Sequence, residues 1–308
     1  MLIATDVAEV LAEVRVLEMA IIGRDGSPQV RPMASAWVSE SQQVVITTPV
    51  SYPQKAFDMR RNGRVALLYS DPVGSGLTNA RTVLLQGVVS APDVVATPQD
   101  LKEYWRELFR KNPNLVEEFA DEGARSTMDW YYLRLPFFFT PEKVHQLESL
   151  SAGGAIEPQP DESALMAVRI EDSLQRYPSV TFATLDADGY PYVARAEVEK
   201  SSVDGELTLR TREDFAGAPG KGALLWHRHN GQSGDMVSLH VTGTAEGSDT
   251  EWTFRPERIP GALAGGHTDD SWEAWIEDGR DRTRKYLERR GLIAPTIDWS
   301  ALAALAPA

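Results

Sequence analysis

The chain repeats one arrangement of strand and turn signals, and this repeat constrains its fold more than any other feature. An early stretch reads Ala20-Ile-Ile-Gly-Arg-Asp-Gly-Ser-Pro-Gln-Val-Arg31, and a later one reads Phe182-Ala-Thr-Leu-Asp-Ala-Asp-Gly-Tyr-Pro-Tyr-Val-Ala-Arg195. Gly26 and Gly189 of these stretches lie 163 residues apart, and the prolines that follow them keep this spacing. Solenoid repeats are only about 20–50 residues long, so we predict a duplicated domain instead.

A second pair of stretches extends the repeat into the middle of each half. Val65-Ala-Leu-Leu-Tyr69 matches Gly222-Ala-Leu-Leu-Trp226 at a spacing of 157 residues, so the second copy has lost a few residues in a loop. Residues 149–163 have the serine, glycine and proline content of a linker. We therefore predict a first domain over residues 1–148 and a second, diverged domain over residues 164–308.

Short apolar stretches between turn residues predict about six strands in each half. Asp25-Gly26 is typical of a tight hairpin turn, and Gln29–Val38 is predicted as one return strand. The aromatic-rich segment Asp129–Phe139 is predicted as a closing strand. Many short strands joined by hairpins favour a small barrel, so the predicted fold class is mainly β with helices (α+β).

Helical spacing of apolar residues marks the helices. Helices are predicted over Pro53–Arg61 and Pro98–Arg110, the second with a strong apolar stripe. A final helix is predicted to start after Ser271, to carry Trp272 on its apolar face and to stop at Gly291.

Composition and charge narrow the possible partners. The net charge of −14 disfavours nucleic acid, because a duplex-binding protein needs a basic face. The chain has no cysteine, which excludes disulfides, thiolate nucleophiles and cysteine metal sites. No stretch approaches the ~18 uninterrupted apolar residues of a membrane span, and the first segment lacks signal-peptide character. We expect a cytoplasmic protein without a membrane partner.

The sequence lacks a nucleophile elbow, an HExxH motif, a Walker loop and a GxGxxG motif. The first half instead carries a polar set on otherwise apolar strands. Arg31 follows a hairpin, Thr47 and Thr48 end a strand, and Ser51 and Lys55 open a helix. A helix N-terminus with arginine, lysine and hydroxyl groups is suited to holding a phosphate. The alternative interpretation is that Arg31 and Lys55 are solvated surface charges.

Several motifs together resemble those of the pyridoxamine 5'-phosphate oxidase-like family. They are Asp25-Gly-Ser-Pro-Gln-Val-Arg-Pro-Met33, Val44-Val-Ile-Thr-Thr48, Lys55 and Arg60-Arg-Asn-Gly-Arg-Val-Ala-Leu-Leu68. That family has the FMN-binding split β-barrel fold and includes relatives that use deazaflavin F420. The resemblance covers about residues 10–148 and, more weakly, residues 165–250, and it implies two tandem split β-barrels, the second degenerate.

The resemblance also implies cofactor-binding residues. Arg31 and the backbone of Met33, Ala34 and Ser35 would line the flavin. Thr47 and Thr48 would contact its phosphate or ribityl chain, and Lys55, with Ser51 beside it, would bind the phosphate. Arg81 and Gln86 would approach from the side or across a dimer interface.

The second half matches this pattern less well. Ala194 stands at the spacing of Arg31, although Arg195 is adjacent and a slip of one residue would restore a basic group. Thr211 matches Thr48, but residues 212–222 lack the helical pattern around Lys55. We expect this copy to be mainly structural.

Three histidines in the second half raise the question of a metal or haem site. His227 and His229 share a face if they lie on one strand, with His240 nearby. Because no carboxylate is in register with them, we predict that they lie at the end of a strand without binding a ligand and that the protein has no metal site.

The function predicted from these observations is an FMN-dependent oxidoreductase that transfers hydride to or from a small molecule. Hydride chemistry belongs to the flavin, which explains why no catalytic dyad is visible. Two alternatives are an F420-dependent reductase, whose longer cofactor tail prefers a basic groove, and a non-catalytic protein that binds flavin or haem. The expected assembly is a homodimer or an internal pseudo-dimer formed by the two copies.

Overall fold

The structure is a computed structural model that describes residues 2–78, 80–119, 121–151, 164–201, 203, 205–231, 236–260 and 272–307. Most of the predicted linker, residues 152–163, and the predicted helix cap Ser271 lie outside the described residues.

Helices and strands of the first half follow the predicted order closely. They are α1 (Thr5–Glu13), β1 (Leu17–Ile22), β2 (Pro28–Met33), β3 (Ser35–Val38), β4 (Gln43–Pro49), α2 (Gln54–Arg61), β5 (Arg64–Tyr69), β6 (Thr82–Ser90), α3 (Lys102–Lys111), α4 (Glu122–Tyr132) and β7 (Arg134–Leu147). Two 3₁₀ segments, Pro98–Leu101 and Pro113–Phe119, flank α3.

The second half repeats the strand pattern and ends in helices. Its elements are α5 (Met166–Arg176), β8 (Ser179–Leu185), β9 (Pro191–Lys200), β10 (Leu207–Arg210), β11 (Ala218–His229), β12 (Met236–Ser248), β13 (Glu251–Arg258), α6 (Trp272–Arg290) and α7 (Trp299–Ala303).

The two halves have the same strand order, so the structure itself shows the duplication. The first half is a seven-stranded sheet in the order β2-β1-β5-β6-β7-β4-β3. Only Ala34 separates β2 from β3, so the two edges of this sheet are consecutive pieces of one bent strand. In the second half the unbroken β9 pairs with both β8 and β10 and closes a six-stranded barrel. The predicted fold class, two tandem split β-barrels with helices, is confirmed.

Two expectations for strands were wrong. Residues 129–132 belong to α4. That helix starts after Asp121, whose side chain caps it by accepting a hydrogen bond from the Ala124 amide at 2.7 Å, and it continues through Tyr132. The predicted return strand over Gln29–Val38 is interrupted at Ala34. Strand β13 was not predicted, although its buried Trp252 and Phe254 alternate with polar residues as a half-buried strand requires.

The two halves pack against each other as an internal pseudo-dimer. Apolar residues of β1, β2, β5 and β6 join the hydrophobic core of the second half. Two ion pairs of 2.6 Å cross this interface at equivalent positions of the repeat, Lys143 with Asp188 and Arg258 with Asp25. The chain therefore pairs its two barrels internally, around an approximate twofold axis.

A buried polar pair also joins the halves, on one side only. Glu18 accepts a hydrogen bond from Arg195 at 2.9 Å and another from Ser70 at 2.7 Å, and both charged side chains are almost fully buried. Burial alone would raise the pKa of the Glu18 carboxyl, but His227, Arg195 and Ser70 hold it below its usual value. At the corresponding repeat positions stand Thr181 and Pro32, so this pair has no symmetric copy.

Among the described residues, no helix combines the length and the apolar character needed to cross a bilayer.

Candidate functional site

Two adjoining cavities lie on the first barrel, where β4 leads into α2. The larger has a volume of about 800 Å³ and the smaller about 250 Å³. Tyr52 and Lys55 line both, so the cavities meet at the start of α2.

The larger cavity contains the predicted phosphate-binding set. Arg31 reaches it from β2, Ser51 from the turn after β4 and Lys55 from the first turn of α2. Ser51 is 2% exposed, and its hydroxyl has no hydrogen-bond partner among the described residues. Side chains do not cap the N-terminus of α2, so its first amide groups remain available to an anion.

Positive charge in this cavity exceeds what its carboxylates neutralise. Asp25 pairs with Arg258, and Asp58 pairs with Arg61 at 2.8 Å. Lys55 has neither a hydrogen bond nor an ion pair in the described part of the chain. Burial, with Arg31 and Arg134 nearby, lowers the pKa of the Lys55 ammonium to about 8.

Arg31 is held by the second half of the chain. Its guanidinium donates to the Val30 carbonyl at 2.9 Å and contacts Nδ1 of His240, which lies on β12 of the other barrel. Burial lowers the pKa of Arg31 to about 10, and burial with the neighbouring Arg31 and Arg258 lowers that of His240 well below its usual value. The imidazole is therefore neutral and does not compete for an anion. Its Nε2 accepts a hydrogen bond from the Val30 amide at 3.3 Å, which holds the ring against β2 beside Arg31.

Other predicted residues line the smaller cavity. They are Met33, Ala34, Thr47 and Thr48. Both threonine hydroxyls are already engaged, since Thr48 donates to the Tyr52 carbonyl at 3.3 Å and Thr47 accepts from Nε of Arg134 at 2.8 Å.

Three predicted residues do not reach these cavities. Ser35 is buried in β3, where its carbonyl accepts a hydrogen bond from Lys111 at 3.1 Å. Arg81 is exposed and lines a different cavity, beside α1. Gln86 donates to Asp186 and to the Pro191 carbonyl, both at 2.9 Å, and so belongs to the contact between the halves.

The second half contributes residues to the larger cavity that sequence reasoning missed. Arg258 is the last residue of β13, Pro260 lies two residues after it, and Arg282 lies on α6. Arg282 pairs with Asp278 and lies over the ring of Tyr52 at 5.8 Å. The only signal in the sequence for these residues is the predicted pairing of the two copies. That prediction does not specify which face of one barrel packs against which face of the other.

Among the residues that the structure describes, the equivalent place on the second barrel holds no comparable set. Strand register aligns Ala194 with Arg31. In each half the proline after the turn, Pro28 or Pro191, pairs with the last residue of the preceding strand, and Arg31 and Ala194 each lie three residues after that proline. The suggested one-residue slip is therefore wrong. Arg195 faces the opposite side of β9 and binds Glu18.

The histidines of β11 lie at the interface of the halves. His227 and His229 are buried and their rings stack at 5.4 Å, so they do share a face. His227 lies 3.8 Å from Glu18, and His229 lies 3.6 Å from Asp71. Burial lowers the pKa of His229 to about 4, so it is neutral at physiological pH. The third histidine, His240, instead contacts Arg31.

No protein-family model matches the sequence, and no curated protein matches it either. Solved structures do, each over about half of this chain. The haem storage protein HutZ from Vibrio cholerae is 13% identical over 47% of this chain and 95% of its own, with a TM-score of 0.33. An F420 reductase is 19% identical over 44% of this chain and 93% of its own, with a TM-score of 0.29.

A third similar structure is a protein from Clostridium acetobutylicum related to general stress protein 26, of the pyridoxinephosphate oxidase family. It is 13% identical over 47% of this chain and 88% of its own, with a TM-score of 0.31. The assignment of the fold itself rests on the strand order described above.

Proposed function

We propose that this protein is a flavin-dependent oxidoreductase that binds FMN at the start of α2 and transfers hydride to or from a small molecule. The observation that carries the proposal is the set of Arg31, Ser51 and Lys55. In the described part of the chain, Arg31 and Lys55 have no carboxylate partner and the buried Ser51 hydroxyl has no hydrogen-bond partner, and all three face one cavity beside a helix N-terminus. Unpaired buried charge is unfavourable, and a phosphate ester would satisfy all three groups.

The protein's own residues would bind and orient the cofactor. Arg31 supplies two parallel donors, Lys55 a point charge and Ser51 a hydroxyl donor. Met33, Ala34 and Thr48 line the smaller cavity, as Lys55 also does, and the part of the cofactor away from its phosphate would reach only the side of that cavity nearest Lys55. The flavin supplies the hydride chemistry when bound. Helices α3 and α4 cover the smaller cavity and would exclude water from it.

F420 is the second candidate cofactor, and one observation favours it. The larger cavity is also lined by Arg24, Arg258 and Arg282, a basic wall that suits a longer anionic tail. Arg258 and Arg282 are ion-paired with Asp25 and Asp278, however. Because these pairs reduce the net charge of that wall, we place FMN first.

Binding measurements test the proposal. FMN fluorescence quenching gives the dissociation constant of the wild-type chain, and the double variant Arg31→Ala/Lys55→Ala should bind FMN at least about 100-fold more weakly. Lys200→Ala removes an exposed lysine of the second half that pairs with Glu171, and it should leave the affinity unchanged. Unchanged FMN affinity in the double variant would refute the site.

The same titration with F420 separates the two cofactors. Tighter binding of F420 than of FMN would assign the F420-dependent reaction. A Soret band in the purified protein would instead indicate haem and a non-catalytic or haem-related role.

A further inference from the structure

The smaller cavity is built by a segment that only the first barrel has. Between β6 and β7 the chain forms two 3₁₀ segments and the helices α3 and α4, whereas β12 and β13 are joined directly by Asp249 and Thr250. This insertion contributes Tyr104, Trp105, Leu108 and Tyr131 to the cavity wall. The cavity is therefore a feature of one half, added to the duplicated framework.

One buried cation faces this cavity without a counter-ion. Arg134, at the start of β7, is 5% exposed. Its Nε donates to Thr47 at 2.8 Å and its Nη1 to the Tyr131 carbonyl at 3.0 Å. The Tyr104 side chain also hydrogen-bonds to this guanidinium, but the described residues that line the cavity include no aspartate or glutamate. A buried guanidinium left in this state favours an anionic ligand.

The remaining wall favours a flat ligand. The Arg134 guanidinium lies over the rings of Tyr131 and Trp105, at 4.8 and 5.8 Å from their centres. Trp105 stacks on Tyr132 at 5.0 Å, with an angle of 28° between the rings. The indole N–H of Trp105 is buried and has no hydrogen-bond partner in the part of the chain that the structure describes, so a second donor is available beside Arg134.

Volume and position limit the ligand further. At about 250 Å³ the cavity lies just below the roughly 300–1,000 Å³ of typical ligand pockets, which suits a single ring with one small substituent. It shares the lining residues Tyr52 and Lys55 with the larger cavity, so its ligand would lie beside a cofactor held there.

We propose that the smaller cavity binds a small, planar aromatic carboxylate, with Arg134 as the residue that binds the carboxylate. The inference deepens the proposed function, because the ligand would be the substrate, or a substrate-like inhibitor, of the flavin reaction. Arg134 presents Nη2 to the carboxylate while Thr47 and Tyr131 fix the plane of the guanidinium. The apolar ring of the ligand contacts Leu108 and the aromatic wall.

Isothermal titration of the FMN-loaded protein with benzoate tests this, and the neutral analogue benzamide is the matched ligand. Benzoate should bind at least about tenfold more tightly than benzamide, and Arg134→Gln should abolish this preference. FMN affinity should stay within about twofold of wild type. Arg106→Gln, which removes an exposed arginine of α3 paired with Glu103, should bind both ligands as wild type does.

Since Arg134→Gln removes packing as well as charge, a second variant fills the cavity. Leu115→Trp adds bulk to its wall, and it should weaken benzoate binding while FMN is retained and the circular dichroism spectrum is unchanged. Equal binding of benzoate and benzamide, or no binding of either, would overturn the proposal. So would a parallel loss of FMN affinity in Arg134→Gln, because the cavity would then belong to the cofactor.

The two proposals fail separately. If the wild-type chain binds no FMN, the same titration is run on the cofactor-free protein. A preference for benzoate that depends on Arg134 would then support the anion site, although the flavin proposal would be wrong.

Discussion

The connection that follows β4 in the first barrel and β10 in the second differs completely between the two barrels, although the strands around it are equivalent. In the first barrel β4 leads through Ser51 and Tyr52 into α2, which carries Lys55. In the second barrel β10 is followed by a short turn, and β11 begins at Ala218, where the repeat would place the lysine. Duplication thus preserved the framework, while the residues proposed to bind the phosphate lie on and beside one connection whose helix only one copy has.

An aromatic side chain fills the place that stays open in the first barrel. Phe215, at the repeat position of Tyr52, stacks on Phe182 at 5.0 Å and meets Tyr192 and Trp252 edge-on at 5.2 and 5.4 Å. Tyr52 instead stands half-buried between the two cavities of the first barrel. The second barrel has converted a potential site into hydrophobic core.

The largest effect is expected from the one-sided ion pair between the barrels. Arg195→Ala leaves the Glu18 carboxylate buried without its cation, so the free energy of unfolding should fall by about 3–5 kcal/mol. Urea unfolding measures this change. Thr181→Ala alters the repeat position of Glu18 and should cost less than about 1 kcal/mol. A loss below that value for Arg195→Ala would show that the pair does not stabilise the interface.

Truncating Phe215 tests whether this side chain alone closes the second barrel to a ligand. Phe215→Ala should lower the free energy of unfolding by about 3 kcal/mol, since it empties a large buried volume. Tyr52→Ala, the matched change in the first barrel, should cost less stability but weaken FMN binding. We expect one FMN per chain in Phe215→Ala. A second bound FMN would mean that the Phe215 side chain, rather than the lack of a helix equivalent to α2, prevents binding to the second barrel.

The pH dependence of binding tests the charge that the second barrel lacks. Lys55 is charged below its pKa of about 8, and phosphate esters are already dianionic above a pKa of about 6. FMN should therefore bind about tenfold more weakly at pH 9 than at pH 7, because the ammonium loses its proton in this range. In Lys55→Arg the charge persists, so the profile should be flat. An equally steep profile in that variant would assign the titration to another group.

The smallest effect concerns the contact of His240 with Arg31. His240→Leu introduces the residue that stands at this repeat position in the first barrel, Leu84. Without the imidazole, Arg31 is less well fixed, and FMN affinity should fall about fivefold. His145→Leu, which removes a histidine that contacts Gln86 at 3.2 Å, is the control and should have no effect. Equal effects of the two changes would point to a general disturbance of the interface.

The predicted residues that converge do so because their positions follow from local patterns. Arg31 is set by its distance from the hairpin at Gly26, whose φ of +80° fits the tight turn. Ser51 and Lys55 are set by the start of a helix. Such patterns place a side chain on one element, and two neighbouring elements were enough to bring these three together.

The residues that were missed depend on contacts between distant parts of the chain. His240 lies 209 residues from Arg31, and no periodicity reports which faces of two barrels meet. Arg134 stands at the start of a strand that was expected to begin earlier, so its place beside the cavity could not be foreseen. Gln86 was expected to approach the cofactor from the side or across a dimer interface, and it lies at the contact between the halves because the pairing of the barrels brings Asp186 to it.

Joining the two barrels in one chain also changes how they can evolve. In a homodimer every substitution appears twice. A phenylalanine that fills the site of one subunit therefore fills both sites, and an acidic residue introduced at the interface is introduced in both subunits. Here Glu18 could acquire Arg195 as a partner without a matching change at Thr181 and Pro32. The covalent link therefore frees each copy from the symmetry of the pair, and one of them can specialise in support while the other keeps its ligands.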